Sequence, residues 1–174
     1  MFLNILKKVK AKKFLRKHLA KQRILETDEI RSISSVACIV NLDEFENTEM
    51  LFALAKDLNI QKDQFNIIGC TRTPKKYEGS QIPLLSLKDF NWKLQIKGGN
   101  VKTFLDKEYD VLINYFTKEK HSLLYVSTLT RAGIRFGFKR LNHQYNDVIF
   151  KVDTNNADLF KSEMLKYLKI MNKI

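Results

Sequence analysis

Three short apolar runs, none of them broken by regular polar alternation, constrain this chain more than any other feature. They are SSVACIVNL (34–42), FNIIGCT (65–71) and YDVLINYF (109–116). A strand with one wet face alternates polar and apolar residues, whereas a strand covered on both faces reads as a continuous run. Such sheets are parallel, because helical crossovers cover their faces. Between the first two runs, ENTEMLFALAKDLNI places Leu51, Leu54, Ala55 and Leu58 at helical spacing. Asn47 or Thr48 can cap that helix, and Glu49 stands in its first turn. Strand, helix, strand at this spacing is a βαβ unit.

The rest of the chain continues the alternation. IPLLSL suggests a short strand, and FNWKLQIK alternates Phe90, Trp92, Leu94 and Ile96 with polar residues, as a half-exposed strand does. KGGN reads as a turn and VKTFLDKE as one or two helical turns. After the third run, EKHSLLYVSTLTRAG predicts a helix with Gly133 as its C-cap. IRFGF and NDVIFKV predict a fourth and a fifth strand. A last helix is expected from Asp153 or Thr154, burying Ala157, Phe160, Met164, Tyr167, Leu168 and Met171. The fold class is therefore α/β, a Rossmann-like open and mostly parallel sheet with helices on both faces. A basic helix over 2–22 precedes it. Residues 1–31 form this helix and a linker, and residues 32–174 a single α/β domain.

The net charge of +12 is unevenly placed. Residues 1–31 hold ten basic and three acidic residues, so more than half of the excess sits on less than a fifth of the chain. A localised basic stripe points to phosphate-rich partners more strongly than a diffuse excess does. Lys7, Lys8, Lys10, Lys12, Lys13, Arg16, Lys17, Lys21 and Arg23 are the candidate nucleic-acid contacts. The apolar residues of this segment fall on two faces. Phe2, Ile5, Leu6 and Val9 share one, and Ala11, Phe14, Leu15 and Leu19 share another, rotated by roughly half a turn. The competing reading docks the second face on the sheet and leaves the lysines solvated.

Ligands of open α/β sheets sit at the carboxyl ends of the strands. Here those positions hold Asn41, then Thr71, Arg72 and Thr73 with Lys75 and Lys76, then Thr117, Lys118, Lys120 and His121, then Lys139 and Arg140. Arg72, Lys75, Lys118, Lys120 and Arg140 form a candidate anion site, against the plainer reading of a solvated rim in a Lys-rich chain. No glycine-rich phosphate loop follows a strand, and no G-x-S-x-G elbow is present. His18, His121 and His143 are too scattered for a metal site, so neither metal nor cofactor is expected. Asp110 reads as a strand-edge hydrogen-bond acceptor in preference to a catalytic acid. Cys38 and Cys70 lie in apolar runs and read as buried thiols of a reducing compartment. No apolar run reaches the roughly 18 residues of a membrane span. The expected location is the cytoplasm.

The stretch YDVLINYFTKEKHSLLYVSTLTRAGIRFGF resembles the N-terminal half of heptosyltransferases of the GT-B fold, with Asp110, Gly133, Arg135 and Gly137 in matching positions. The resemblance implies a Rossmann-like half-domain. Where that family has a glycine-and-aspartate loop after the first strand, this chain has NLDEFENTE. Over nearly its whole length the chain also resembles an uncharacterised family of small Bacteroidota proteins. The likeness rests on its basic start, KDFNWKLQIK, YDVLINYF, IRFGF and YLKIMNKI.

Three functions are compatible with these features. The first is a non-catalytic nucleic-acid-binding protein, associated with RNA or the ribosome through the basic helix. The second is a Rossmann-like enzyme or sensor for a nucleotide or sugar phosphate. In the third, the first helix rests on an anionic membrane surface.

Overall fold

The computed structural model describes residues 32–45, 48–85, 89–91, 96–97 and 99–174. The helix expected over 2–22 lies outside the described residues, as do Trp92 and its flanking lysines Lys88 and Lys93. Five strands form one sheet: β1 (Val36–Asn41), β2 (Phe65–Cys70), β3 (Glu108–Tyr115), β4 (Arg131–Phe138) and β5 (Val148–Phe150). Their order is β2-β1-β3-β4-β5, and every neighbouring pair is parallel. This is the flavodoxin-like doubly wound order, whose topological switch point lies between β1 and β3. The helices are α1 (Glu49–Asp57), α2 (Gly99–Leu105), α3 (His121–Leu129) and α4 (Ala157–Ile170).

The apolar runs give this sheet two cores. Val36, Cys38 and Val40 of β1 pack with Leu51 and Leu54 of α1 and with Phe160, Met164 and Leu168 of α4. Ala37 and Ile39 point the other way, into a cluster with Val101 and Phe104 of α2 and Leu123, Leu124 and Val126 of α3. Successive strand residues face opposite sides, so a strand sandwiched between helix layers must be apolar at every step. On the α4 side Tyr115, Phe138 and Phe160 contact one another, with ring centroids 4.8–5.1 Å apart. The Tyr115 hydroxyl donates to the Thr154 carbonyl at 2.9 Å, which fixes the β5–α4 loop against the end of β3.

Several boundaries differ from the sequence reading. α3 ends at Leu129, and Gly133 lies inside β4 instead of capping the helix. The Thr130 amide and hydroxyl both bond the Val126 carbonyl and close the helix. Arg131 and Ala132 then pair at once with Glu108 and Tyr109. α4 starts at Ala157, because Asp153 makes a turn with Asn155 and the Asn156 side chain caps the helix by accepting from the Leu159 amide. Tyr167 is 39% exposed, although its ring touches Phe150. Of the run FNWKLQIK, Phe90 and Ile96 form a single antiparallel bridge, and of IPLLSL, Leu84 bridges Gly69 of β2. The β4–β5 connection carries a 3-10 turn (His143–Tyr145) in place of a helix. Among the described residues, no helix is long and apolar enough to cross a membrane.

Asp110 does the work of a strand-edge anchor. The amides and hydroxyls of Ser34 and Ser35 all donate to its Oδ2, at 2.8–3.0 Å. Partial burial pushes its carboxyl up, but these four hydrogen bonds outweigh burial and hold it below the usual carboxylate range. They fasten the entrance of β1 to β3 at the amino edge, away from the strand ends where ligands sit.

Gly137 of β4 faces the buried Asn146, whose amide lies 2.8 Å from that of Asn114. A Cβ on Gly137 would meet the Asn146 amide at 2.3–2.5 Å. Gly137→Ala, which would ordinarily favour a strand, is therefore expected to destabilise the protein by about 2 kcal/mol, as overpacking does. Urea unfolding of the two proteins measures this.

Candidate functional site

At the switch point, β1 leaves the sheet through Asn41, Leu42, Asp43 and Glu44, and β3 leaves through Phe116, Thr117 and Lys118. The carboxylates of the β1 exit organise the crevice. Asp43 accepts from Lys120 Nζ at 2.7 Å, from Thr71 Oγ1 at 2.7 Å, and from the Arg72 amide and Nε at 3.1 and 3.2 Å. Lys120 also donates to Asn41 Oδ1 at 2.8 Å. Glu44 accepts from the Thr117 amide at 2.8 Å and hydroxyl at 3.1 Å, and Lys118 Nζ stands 3.7 Å away. Loops after β1, β2 and β3 are thus tied to one another by charge-assisted bonds, which are shorter and stronger than neutral ones. Burial raises the Asp43 carboxyl, but the donors from Lys120, Thr71 and Arg72 prevail and hold it far below the ordinary range.

A second feature lies further along the same edge. A cleft of about 440 Å³ is lined by Thr117, Lys139, Arg140, Lys151, Val152 and Asp153. The sheet register explains why the three cations meet. Phe138 pairs with Phe150, so Lys139 and Lys151 are the next residues out of two adjacent strands. Asn114 pairs with Gly137, and three residues beyond each lie Thr117 and Arg140. Among the described residues none of the three cations holds an ion pair, and Asp153 is the only carboxylate of the lining. A separate cleft of about 580 Å³ at the β2 edge, between α1 and Phe65–Ile67, contains none of the sequence-predicted cations.

The candidate anion site of the sequence therefore divides. Arg72, Lys118 and Lys120 converge on Asp43 and Glu44, where they neutralise the chain's own acids. Lys75 is exposed on the 3-10 turn Pro74–Tyr77. Arg140 belongs to the second cleft, with Lys139 and Lys151. The nine N-terminal candidates, Lys7 to Arg23, lie outside the described residues. Sequence reasoning missed Asp43 and Glu44, although their place just beyond the first strand of an α/β sheet marks them. It also missed Lys151, which reads as part of a strand that ends at Phe150. Among the described residues no group of three or more His, Cys, Asp or Glu side chains is placed to hold a metal ion.

Comparison with known proteins adds one fact. A family model described as a family of unknown function (DUF6913) matches residues 7–171. The chain belongs to that family. The DUF6913 match takes in both the basic segment from Lys7 and the whole α/β sheet. No curated protein and no solved structure matches the chain.

The two cations on Asp43 differ in exposure, since the Lys120 side chain is 27% exposed and that of Arg72 85%. Lys120→Met is expected to cost about 3 kcal/mol, because it strips a largely buried carboxylate of its main partner. Arg72→Ala should cost less than about 0.5 kcal/mol, because its side-chain pair is in solvent and its backbone amide remains. Chemical denaturation separates these values. Asp43 and Asp110 both titrate lower in the folded than in the unfolded chain. Their contribution is complete above the unfolded carboxylate pKa of about 3.9 and is lost as pH falls through the folded values. Stability should therefore drop steeply below about pH 4, and Asp43→Asn should flatten that drop.

Proposed function

We propose that this protein binds a polyanion, RNA foremost, and catalyses no reaction. The observation that carries this reading is the division of charge along the carboxyl edge. The crevice where doubly wound folds hold a nucleotide cofactor is occupied by the Asp43, Glu44 and Lys120 network. Lys139, Arg140 and Lys151, which hold no ion pair among the described residues, lie on the same edge and are exposed. Together with Lys7, Lys8, Lys10, Lys12, Lys13, Arg16, Lys17, Lys21 and Arg23 they supply phosphate contacts, which give affinity without sequence information. The ribosome, with its exposed RNA, is the natural partner on this reading, and the cytoplasm its compartment. Two free and buried thiols, Cys38 and Cys70, fit that compartment.

Glycosyl transfer, which the likeness to heptosyltransferases would suggest, finds little support in the matching residues. Asp110 binds Ser34 and Ser35, the Arg135 guanidinium donates to the Ser127 and Thr130 carbonyls, and Gly137 leaves room for Asn146. Each is engaged inside the fold.

Fluorescence anisotropy with a structured RNA, over a salt series, tests the proposal on the intact chain. With five to nine phosphate contacts, the logarithm of affinity should fall with the logarithm of salt at a slope of roughly −3 to −8. Replacing Lys12, Lys13, Arg16 and Lys17 with Gln should lower the slope by about 3. Salt-insensitive binding, or a preference for anionic vesicles over RNA, would reject the reading.

A further inference from the structure

We propose that the cleft between the ends of β3, β4 and β5 is a binding site for a phosphomonoester carried on a hydroxylated, sugar-like skeleton. This goes beyond RNA binding and does not depend on it. A backbone diester carries one negative charge and is met by single cations strung along a groove. Here Lys139, Arg140 and Lys151 are gathered at one concavity of about 440 Å³, within the range of small-molecule sites. Three cations share the lining with one carboxylate, Asp153, and none is paired with it, so they repel one another and a dianion relieves that repulsion. Arg140 brings a planar fork that matches two phosphate oxygens, and the lysines act as point charges.

The remainder of the lining selects what carries the phosphate. Among the described residues Val152 is its one apolar member, and none offers an aromatic ring on which a nucleobase could stack. Asp153 accepts from the Asn155 amide through Oδ1, at 3.2 Å, and is oriented by that turn. Its carboxylate would repel a phosphate but accept a hydrogen bond from a hydroxyl a few ångströms away. The loop that bears it is held in place by the Tyr115 hydroxyl on the Thr154 carbonyl. Cations and one oriented acceptor in the same lining suit a phosphorylated polyol. Such a group occurs in free sugar phosphates and at the phosphorylated end of an RNA chain.

Isothermal titration of the full chain with ribose 5-phosphate, ribose, inorganic phosphate, and one short oligoribonucleotide with a 5′-phosphate or a 5′-hydroxyl distinguishes these sources. Saturable binding of ribose 5-phosphate, and none of ribose, is expected if the ligand is a free sugar phosphate. A preference for the 5′-phosphorylated over the 5′-hydroxyl oligonucleotide, without binding of ribose 5-phosphate, assigns the same cleft to an RNA end. In either case Arg140→Ala and Lys151→Ala should each weaken binding on the order of tenfold, the worth of one charge-assisted hydrogen bond. Arg72→Ala, at the other crevice, should leave it unchanged. Asp153→Asn should weaken ribose 5-phosphate but strengthen inorganic phosphate, a pattern that a merely structural role would not produce. All four substituted residues are exposed, and an unchanged unfolding midpoint would verify that the variants are folded. The proposal is overturned if neither phosphomonoester binds, or if binding survives the loss of both Arg140 and Lys151. Failure of general RNA binding, with ribose 5-phosphate still bound, would reject the polyanion reading alone.

Discussion

No side chain of β1 from Val36 to Asn41 reaches water, and that sealing sets the terms for the rest of the molecule. A strand with partners on both edges and helices on both faces has its backbone fully paired, but its last residue is still polar. Asn41 is buried at the point where β1 leaves the sheet, and its carboxamide oxygen needs a donor. Lys120 crosses from the β3–α3 loop to supply one. An ammonium drawn so far under the surface needs a counter-charge, and Asp43 provides it two residues later. Thr71 and the Arg72 amide complete the carboxylate's shell. The electrostatics of the switch point thus follow from packing a central strand, with each partner called for by the one before it.

The crevice and the cleft share an edge yet differ in kind. At the crevice, the acids of the β1 exit bind the cations of the β2 and β3 exits, and the result is a brace across three loops. At the cleft, the β4 and β5 exits bring cations with a single carboxylate among them. The exit sequences account for the contrast: LDEF follows β1, whereas KR follows β4 and KVD follows β5. Both ends of the edge carry a positive excess, but at the crevice the cations are paired with the chain's own acids, whereas at the cleft they are not.

How much of this was legible in the sequence depended on the physical signal involved. The continuous apolar runs identified β1, β2 and β3, because burial on both faces leaves no other composition. The helical spacing of Leu51, Leu54 and Ala55 located α1 for a similar reason. Gly133 misled as a helix cap because a C-cap glycine and a strand glycine look alike until tertiary pairing is known. The fate of the cations was not legible at all. Whether Lys120 meets an anion or water is decided by Asp43, 77 positions away, and only the sheet order brings the two together. Lys139 and Lys151 meet through the same long-range pairing.

The irregular end of the sheet is what makes the cleft. β5 has three residues and pairs only with the carboxyl third of β4. Further back, on the outer side of β4, no strand remains among the described residues, and Asp147 takes over the pairing, its amide donating to the Arg135 carbonyl and its carboxylate accepting from the Arg135 amide. Because the β4–β5 connection has a 3-10 turn in place of a helix, its first residues turn sharply: the Leu141 amide bonds back to the Phe138 carbonyl. That turn keeps Lys139 and Arg140 at the sheet edge instead of carrying them into a helix over one face. A full-length β5 with a helical crossover would place the same residue types elsewhere. The concentration of positive charge at this edge is therefore a property of the truncated strand as much as of its lysines.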